Sequence, residues 1–245
     1  MTDLLETVIA AHGGLDRWNQ LDAVSVHGFN GGALWALKGQ AGVVDDVFVR
    51  ASLHEEQESH HPFGGPDRRS AFTPQRVAIE TTQGEVVEAL DQPRASFAGH
   101  TLETPWTRLQ LAYFTGTAMW TYLTQPFTFA WPEFKTTELD PWAENGEQWR
   151  RLRVTWPGYL ATHSTEQTLY FGEDGLIRRH DYTAEPIGSW ARAAHYCLEH
   201  QTFDGLTLPT RRRVYHRRRD GRRRARPLLV WIDLPAASVV RQSVR

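Results

Sequence analysis

The segment that decides the fold is TEQTLYFGEDGLIRRHDYT, residues 165–183. Residues 168–171 form a short β-rich run, and residues 176–183 form a second one. The turn stretch GEDG between them contains an Asp-Gly pair, which favours a hairpin because glycine adopts positive φ without steric cost. The sequence therefore predicts two antiparallel strands that are joined by a tight turn.

Similar β-rich runs lie on both sides of this hairpin, and they do not alternate with helices as in β-α-β units. They include residues 24–29, 33–37, 43–53, 149–156, 192–200 and 206–215, and the glycines of Asn30-Gly31-Gly32 are expected to form a turn between the first two. The predicted fold is mainly β, a large curved antiparallel meander of about 11–12 strands that forms an open or half β-barrel.

Two helical segments interrupt the strand pattern. At the N-terminus, Asp3 and Glu6 resemble a capping box, and Gly13-Gly14 ends the helix that follows, before a short helical turn over residues 15–19. In the middle of the chain, Thr104-Pro105 is typical of a helix start. Apolar residues then recur at helical spacing from Trp106 to Leu123, and we expect this helix to cover the sheet as a lid.

Composition indicates an ordinary soluble protein of 245 residues, with 40% hydrophobic and 23% charged residues. No linker or internal repeat divides it, so we expect a single domain over residues 1–245. One cysteine, Cys197, excludes an intrachain disulfide. No run approaches the roughly 18 apolar residues of a membrane span, and the N-terminus has no basic and apolar leader pattern, so we expect a cytoplasmic location.

The order of these elements carries a family resemblance. A helix ending in Ala11-His12-Gly13-Gly14-Leu15-Asp16-x-Trp18 precedes strands, one inserted helix and a long meander, and a late strand is entered through Asp204-Gly205. In these features the chain resembles the LolA/LolB-like family, the outer-membrane lipoprotein carriers and their relatives. The resemblance implies an unclosed β-barrel with a helical lid, and a hydrophobic cavity that suits acyl chains or other apolar molecules. Without a leader, the chain is expected to be a cytoplasmic relative.

His180 and His195 are the leading candidates for chemistry. If residues 185–190 close their loop symmetrically, His180 faces His195 across two paired strands. Strand periodicity then gathers one face, consisting of Arg178, His180, Tyr182, Ala193, His195, Cys197 and Glu199. Two imidazoles with Tyr182 could share a proton or bind a metal. The alternative is that these side chains are half-buried and hydrogen-bonded within the sheet, and no cofactor is identified.

We weigh three functions. The first is binding of an apolar or aromatic, lipid-like molecule between sheet and helix; its expected ligand contacts are Trp35, Trp120, Trp131, Trp149, Trp156 and Arg178. The second is an enzyme on the same scaffold, in which His180, His195 and Tyr182 perform acid/base or metal-assisted chemistry on a hydrophobic substrate. Whether the chain is an enzyme, and which oligomer it forms, stays open at this point.

The third function is anion or nucleic-acid binding by the basic stretch at residues 211–226, which holds ten arginines and one aspartate around an Asp220-Gly221 turn. Because no aromatic RNA-binding pattern accompanies it and the net charge is −2, we favour an exposed hairpin tip partly neutralised by nearby acids. A second polar stretch contains His54, His60 and His61 among glutamates, and is expected to be a solvated strand end that leads into a loop.

Overall fold

The computed structural model describes residues 3–241, whose strands form one antiparallel sheet. The strands are β1 (Leu21–Gly31), β2 (Asp46–Ser52), β3 (Glu58–His61), β4 (Arg68–Phe72), β5 (Arg76–Thr81), β6 (Val86–Asp91), β7 (Lys135–Glu144), β8 (Glu147–Thr155), β9 (Glu166–Phe171), β10 (Ile177–Thr183), β11 (Arg192–Phe203), β12 (Leu206–Arg217) and β13 (Arg223–Arg241). The helices are α1 (Asp3–Ala11), α2 (Leu15–Trp18), α3 (Ala33–Leu37) and α4 (Arg108–Thr124), with short 3-10 turns at Pro93–Phe97 and Phe127–Ala130.

The sheet consists of two meanders that share one junction. Its strand order is β6-β5-β4-β3-β2-β1-β13-β12-β11-β10-β9-β8-β7, so the first and last strands of the chain pair in the middle. Strands β6 and β7 are the two edges and do not pair with each other, which leaves the barrel open. The mainly β half-barrel that the sequence predicts is therefore confirmed, with thirteen strands in the described chain.

Helix α4 connects the two edge strands and lies inside the curve of the sheet. Thr107 and Gln110 cap its N-terminus with a reciprocal capping box. Gly116 allows close packing, because a Cβ at this position would lie 2.4 Å from Cγ of Phe72. Every residue from Gln110 to Thr124 is buried, so α4 is a core element enclosed on all sides. None of the described helices is long and apolar enough to cross a membrane.

Three local predictions were wrong. Residues 33–37 form α3, and Asn30-Gly31 continues β1 as far as the pairing of Gly31 with Trp231. A run of five apolar residues is too short for its hydrophobic periodicity to distinguish a strand from a helix. Within α3, only Leu34 and Trp35 are buried. The central helix begins after Thr107 rather than Thr104, because the Thr107 side chain accepts the Gln110 backbone N–H.

The third wrong prediction concerns the polar stretch around residue 60, which forms strand β3 and is buried on one face. Its neighbours in the sheet are β2 and β4, and α4 packs against the same three strands. Glu58 and His60 point inward while Ser59 and His61 alternate outward. Glu58 and His60 are therefore enclosed under α4, where pairing with each other replaces solvation, whereas His54 and Glu55 remain exposed.

Candidate functional site

A cavity of about 300 Å³ lies inside the half-barrel, between α4 and the strands of the second meander. Most of its wall is apolar. The helices contribute Leu34, Trp35, Phe114, Ala118 and Met119, and the strands contribute Ala193, Val214, Val230 and Ile232. The cavity exists because α4 packs against β2 to β5 and leaves the opposite half of the concave face uncovered.

Apart from three basic residues at its open end, five polar side chains reach the cavity, and four of them are hydrogen-bonded to protein partners. Asn30 Nδ2 donates to the Val44 carbonyl at 2.9 Å, and Thr115 Oγ1 donates to the Leu111 carbonyl at 2.9 Å. The hydroxyls of Tyr122 and Tyr182 lie 2.8 Å apart and bond to each other. The fifth is His60, which also lies in the wall.

His60 is paired from behind by Glu58. Its Nδ1 lies 2.6 Å from Oε1 of Glu58, at ion-pair distance but without the alignment of a linear hydrogen bond. Both side chains are almost completely buried. Next to them, Glu56 accepts the Ala161 backbone N–H at 2.8 Å, and burial raises the pKa of this carboxyl group well above its usual value. The cavity thus has one carboxylate-backed imidazole in its wall.

The histidine pair expected from the sequence is present, one layer behind the cavity. His180 pairs with His195 between β10 and β11, as predicted, and their ring centroids are 6.1 Å apart. The Tyr122 ring contacts His195 with centroids 4.5 Å apart, and the Tyr182 ring lies 5.0 Å from that of His180. The two tyrosines line the cavity, whereas the two histidines do not. His163 joins this layer, with its ring 5.1 Å from Tyr182.

This histidine layer is buried and uncharged. Burial lowers the pKa of His163 and of His180 to about 3, and the Arg212 guanidinium acts on His180 in the same direction. Burial also lowers the pKa of His195 well below its usual value and raises the pKa of Tyr122 to about 12. Both ring nitrogens of His163 and of His195 lack a hydrogen-bond partner in the described chain.

A metal does not fit these rings as they stand. Within residues 3–241, no group of three or more His, Cys, Asp or Glu side chains is arranged to hold a metal ion. The buried side chain of Arg212 lies near the pair, and it donates to the Tyr122 carbonyl at 2.9 Å and to Cys197 Sγ at 3.3 Å. A neighbouring guanidinium opposes the binding of a second positive charge, whether a proton or a metal ion.

The five tryptophans predicted as ligand contacts are distributed over three places. Trp35 lines the cavity. Trp120, Trp131 and Trp156 belong to a separate aromatic group, in which Trp120 lies 6.1 Å from Trp131 and 6.3 Å from Trp156 between ring centroids. Trp149 lies on the opposite, convex face of the sheet, where it packs with Tyr170 and Tyr196. Strand β8 turns its other side to the interior, with Leu152 and Val154 buried in the main core.

Arg178 also lies away from the cavity. A register shift between Ile177 and Arg179 interrupts the pairing of β9 with β10 and takes Arg178 out of the expected alternation. Its guanidinium bonds to Asp174 at 2.7 Å, at the hairpin turn. The expectation that Arg178 shares a face with His180 was therefore wrong, because one bulge is enough to redirect a side chain.

The basic stretch forms the β12–β13 hairpin, with its turn at Asp220-Gly221. Several of its arginines have partners inside the protein. Arg211 and Arg213 both approach Asp233, Arg217 lies 3.3 Å from Asp181, and Arg212 is completely buried. Local neutralisation by acidic residues, which we favoured from the sequence, accounts for this part of the charge.

The cavity opens to solvent at one end. Of its lining residues, the exposed ones are Ala33, Leu37, Leu102, Trp190, Arg224 and Pro227, and they mark the mouth. Arg192 and His216 lie beside them and are half-buried. The sequence reasoning missed all of these residues and His60, because they come from five separate segments that only the fold brings together. The one available signal was the alternation of Glu58 and His60 with Ser59 and His61.

Comparison with known proteins supports the fold. No protein-family model matches the sequence, and no curated protein matches it. The chain is similar to a LolA superfamily protein from Nitrosomonas europaea, with 10% identity over 98% of this chain and 94% of that one and a TM-score of 0.53. It is also similar to a domain described as an outer membrane lipoprotein-sorting protein from Vibrio parahaemolyticus, with 6% identity over 97% and 91% of the two chains and a TM-score of 0.51. The protein has a LolA-like fold.

Proposed function

We propose that the protein binds an apolar or aromatic, lipid-like small molecule in the cavity between α4 and the concave sheet. The observation that carries this proposal is the cavity itself, whose wall is mostly apolar and whose volume of about 300 Å³ is typical of a small ligand site. The similarity to a lipoprotein-sorting domain is compatible with the proposal, although at this identity it concerns the fold alone.

Two features of the wall favour an apolar occupant. In the interior of the cavity, away from the basic residues at its mouth, four of the five polar side chains are already hydrogen-bonded to protein partners, so they offer little to a competing cluster of waters. The wall residues also come from a helix buried on every side and from paired strands, so the site is formed before any ligand arrives. Burial of apolar ligand surface contributes about 25 cal/mol per Å² under these conditions.

The test is to fill the cavity. Leucine in place of Ala118 projects from α4 into the space, and we expect Ala118→Leu to weaken binding of the neutral fluorescent probe N-phenyl-1-naphthylamine by about tenfold, since about 1.4 kcal/mol of contact is lost. The matched control is Ala36→Leu, because Ala36 is exposed on α3 and does not line the cavity. Equal binding by both variants, or no binding by the wild-type protein, would contradict the proposal.

Acid/base catalysis in the same cavity is a second candidate function, and the Glu58–His60 pair favours it. A carboxylate that holds the far side of an imidazole orients the ring for proton transfer at its other nitrogen. His180 and His195 are less suited, because the two tyrosines separate them from the cavity and burial keeps them neutral. Ester or enol-ether substrates with one alkyl chain can be screened, and turnover that survives His60→Gln would exclude this pair.

A further inference from the structure

The mouth of the cavity carries positive charge that the protein does not neutralise. Arg192 and Arg224 line the mouth, together with His216. Neither arginine forms an ion pair with a carboxylate of the described chain, and Nε of Arg192 is a buried atom without a hydrogen-bond partner. The Nε–H group of Arg192 has lost its water without gaining an acceptor in the described chain, which is energetically costly.

The three basic groups lie close enough to act on one another. Burial is the main cause that lowers the pKa of His216, and the charges of Arg224 and Arg192 act in the same direction, while the Trp190 carbonyl opposes them. Some arginines of the same hairpin are matched by acids, as Arg213 is by Asp233 at 2.7 Å and Arg217 is by Asp181 at 3.3 Å, whereas Arg224 is not. The mouth therefore places two arginines that lack a carboxylate partner in the described chain directly beside an apolar space.

Apolar side chains surround these charges at the opening. Leu37, Leu102 and Trp190 line the cavity and are 41%, 37% and 45% exposed. The site thus has a polarity gradient that runs from an apolar interior, through this ring, to an unpaired cationic rim. A molecule that satisfies both parts must carry an apolar tail and a negative head.

We propose that the ligand is a single-chain amphiphile with an anionic head, a carboxylate or phosphate monoester, whose head lies between Arg192 and Arg224 and whose tail fills the cavity. A cavity of about 300 Å³ lies at the lower end of the range for ligand sites, which favours one chain over several. This inference rests on the proposed function and adds the class of head group. Planar guanidinium groups suit it, because they form charge-assisted, two-point hydrogen bonds with carboxylate and phosphate.

The test compares ligands that share a tail and differ in the head. Dodecanoate and dodecanol, below their aggregation limits, are titrated against the probe-loaded protein. We expect dodecanoate to bind about tenfold more tightly than dodecanol, and we expect the advantage to fall to threefold or less in Arg192→Gln and in Arg224→Gln, with dodecanol affinity unchanged. Arg219→Gln is the matched control, because Arg219 is exposed at the hairpin turn and does not line the cavity, so it should keep the full preference.

Each other outcome has a definite meaning. Equal affinity for the two ligands in the wild-type protein would overturn the head-group inference and leave the proposed function intact, whereas no binding of either would overturn both. If Arg219→Gln loses the preference for dodecanoate to the same extent, the preference comes from the overall positive charge of the hairpin, and the inference is contradicted. Dodecyl phosphate and inorganic phosphate separate the two sources of an anion: if inorganic phosphate displaces the probe as well as dodecyl phosphate does, the site binds a free anion and the inference is wrong.

Discussion

The hydroxyl of Tyr122 on α4 and the hydroxyl of Tyr182 on β10 lie 2.8 Å apart, and this contact separates the cavity from the buried histidines. It joins the internal helix to the second meander across the concave face. Burial raises the pKa of both phenols, so both remain protonated at neutral pH, and one donates while the other accepts.

Removal of either hydroxyl should therefore leave the other without a partner. We expect Tyr122→Phe and Tyr182→Phe each to lower the free energy of unfolding by about 1–2 kcal/mol, and the double variant to lose less than the sum. Urea denaturation of the four proteins at pH 7 measures the coupling. Strict additivity would show that the hydroxyls find other partners and would contradict the contact.

Acid should destabilise the protein through its buried histidines. The pKa of His163 is lowered from 6.5 to about 3 in the folded state, so between these values the unfolded chain binds more protons. The free energy of unfolding is therefore not reduced by this residue above pH 6.5. Below pH 6.5 it falls by up to about 1.4 kcal/mol per pH unit because of His163. His163→Leu should reduce the slope of unfolding free energy between pH 6.5 and 5, measured by urea denaturation. An unchanged slope would mean that His163 is solvated in the native protein.

Gly116 should be intolerant of a methyl group although it lies within a helix. Alanine at this position improves helix propensity by about 1 kcal/mol, but its Cβ would lie 2.4 Å from Cγ of the Phe72 ring. We expect Gly116→Ala to destabilise the protein by about 1–3 kcal/mol, as in other overpacked cores. Gly158→Ala is the control, because a Cβ there has nothing within 4 Å and should be nearly neutral. Thermal denaturation of both variants decides the matter, and a stabilising Gly116→Ala would be inconsistent with the packing described.

The convex face holds a second buried network that can be tested in the same way. Arg179 is fully buried and makes two hydrogen bonds to Asp181, at 2.7 and 2.8 Å. Asp181→Ala leaves this guanidinium without its main counter-charge, and we expect a loss of about 3–5 kcal/mol. Replacement of both residues, as Arg179→Met with Asp181→Leu, should recover much of the loss. A double variant as unstable as Asp181→Ala would show that packing rather than charge is responsible.

The sequence predicts the fold well because most strands pair with the strand that precedes or follows them in the chain. Hairpins such as β9–β10 and β10–β11 need only their own turn residues, and the pairing of His180 with His195 follows from a loop that closes without a bulge. Arg178 shows the limit of this reasoning. The bulge beside Arg178 has no marker in the sequence, and an alternation that fails at one residue cannot be extended to the next strand.

The site was harder to predict, for a different reason. Glu58 and His60 look solvated in a charged stretch, and only the packing of α4 over β3 buries them. The mouth combines Leu37 from α3, Leu102 from a loop and Arg224 from the last strand, which are far apart in the chain. Trp149 was expected in the cavity but lies on the convex face. A high number of tryptophans does not indicate which face of the sheet each of them occupies.

The burial of α4 limits which parts of the protein can move to let the proposed ligand in and out. A helix that solvent does not reach on any side cannot swing outward as a gate without exposing fifteen consecutive core residues, from Gln110 to Thr124. Such an opening would amount to partial unfolding. The proposed ligand would then pass between the short helix α3 and the β10–β11 loop, and its rate of release would depend on side-chain motion at Leu37 and Trp190.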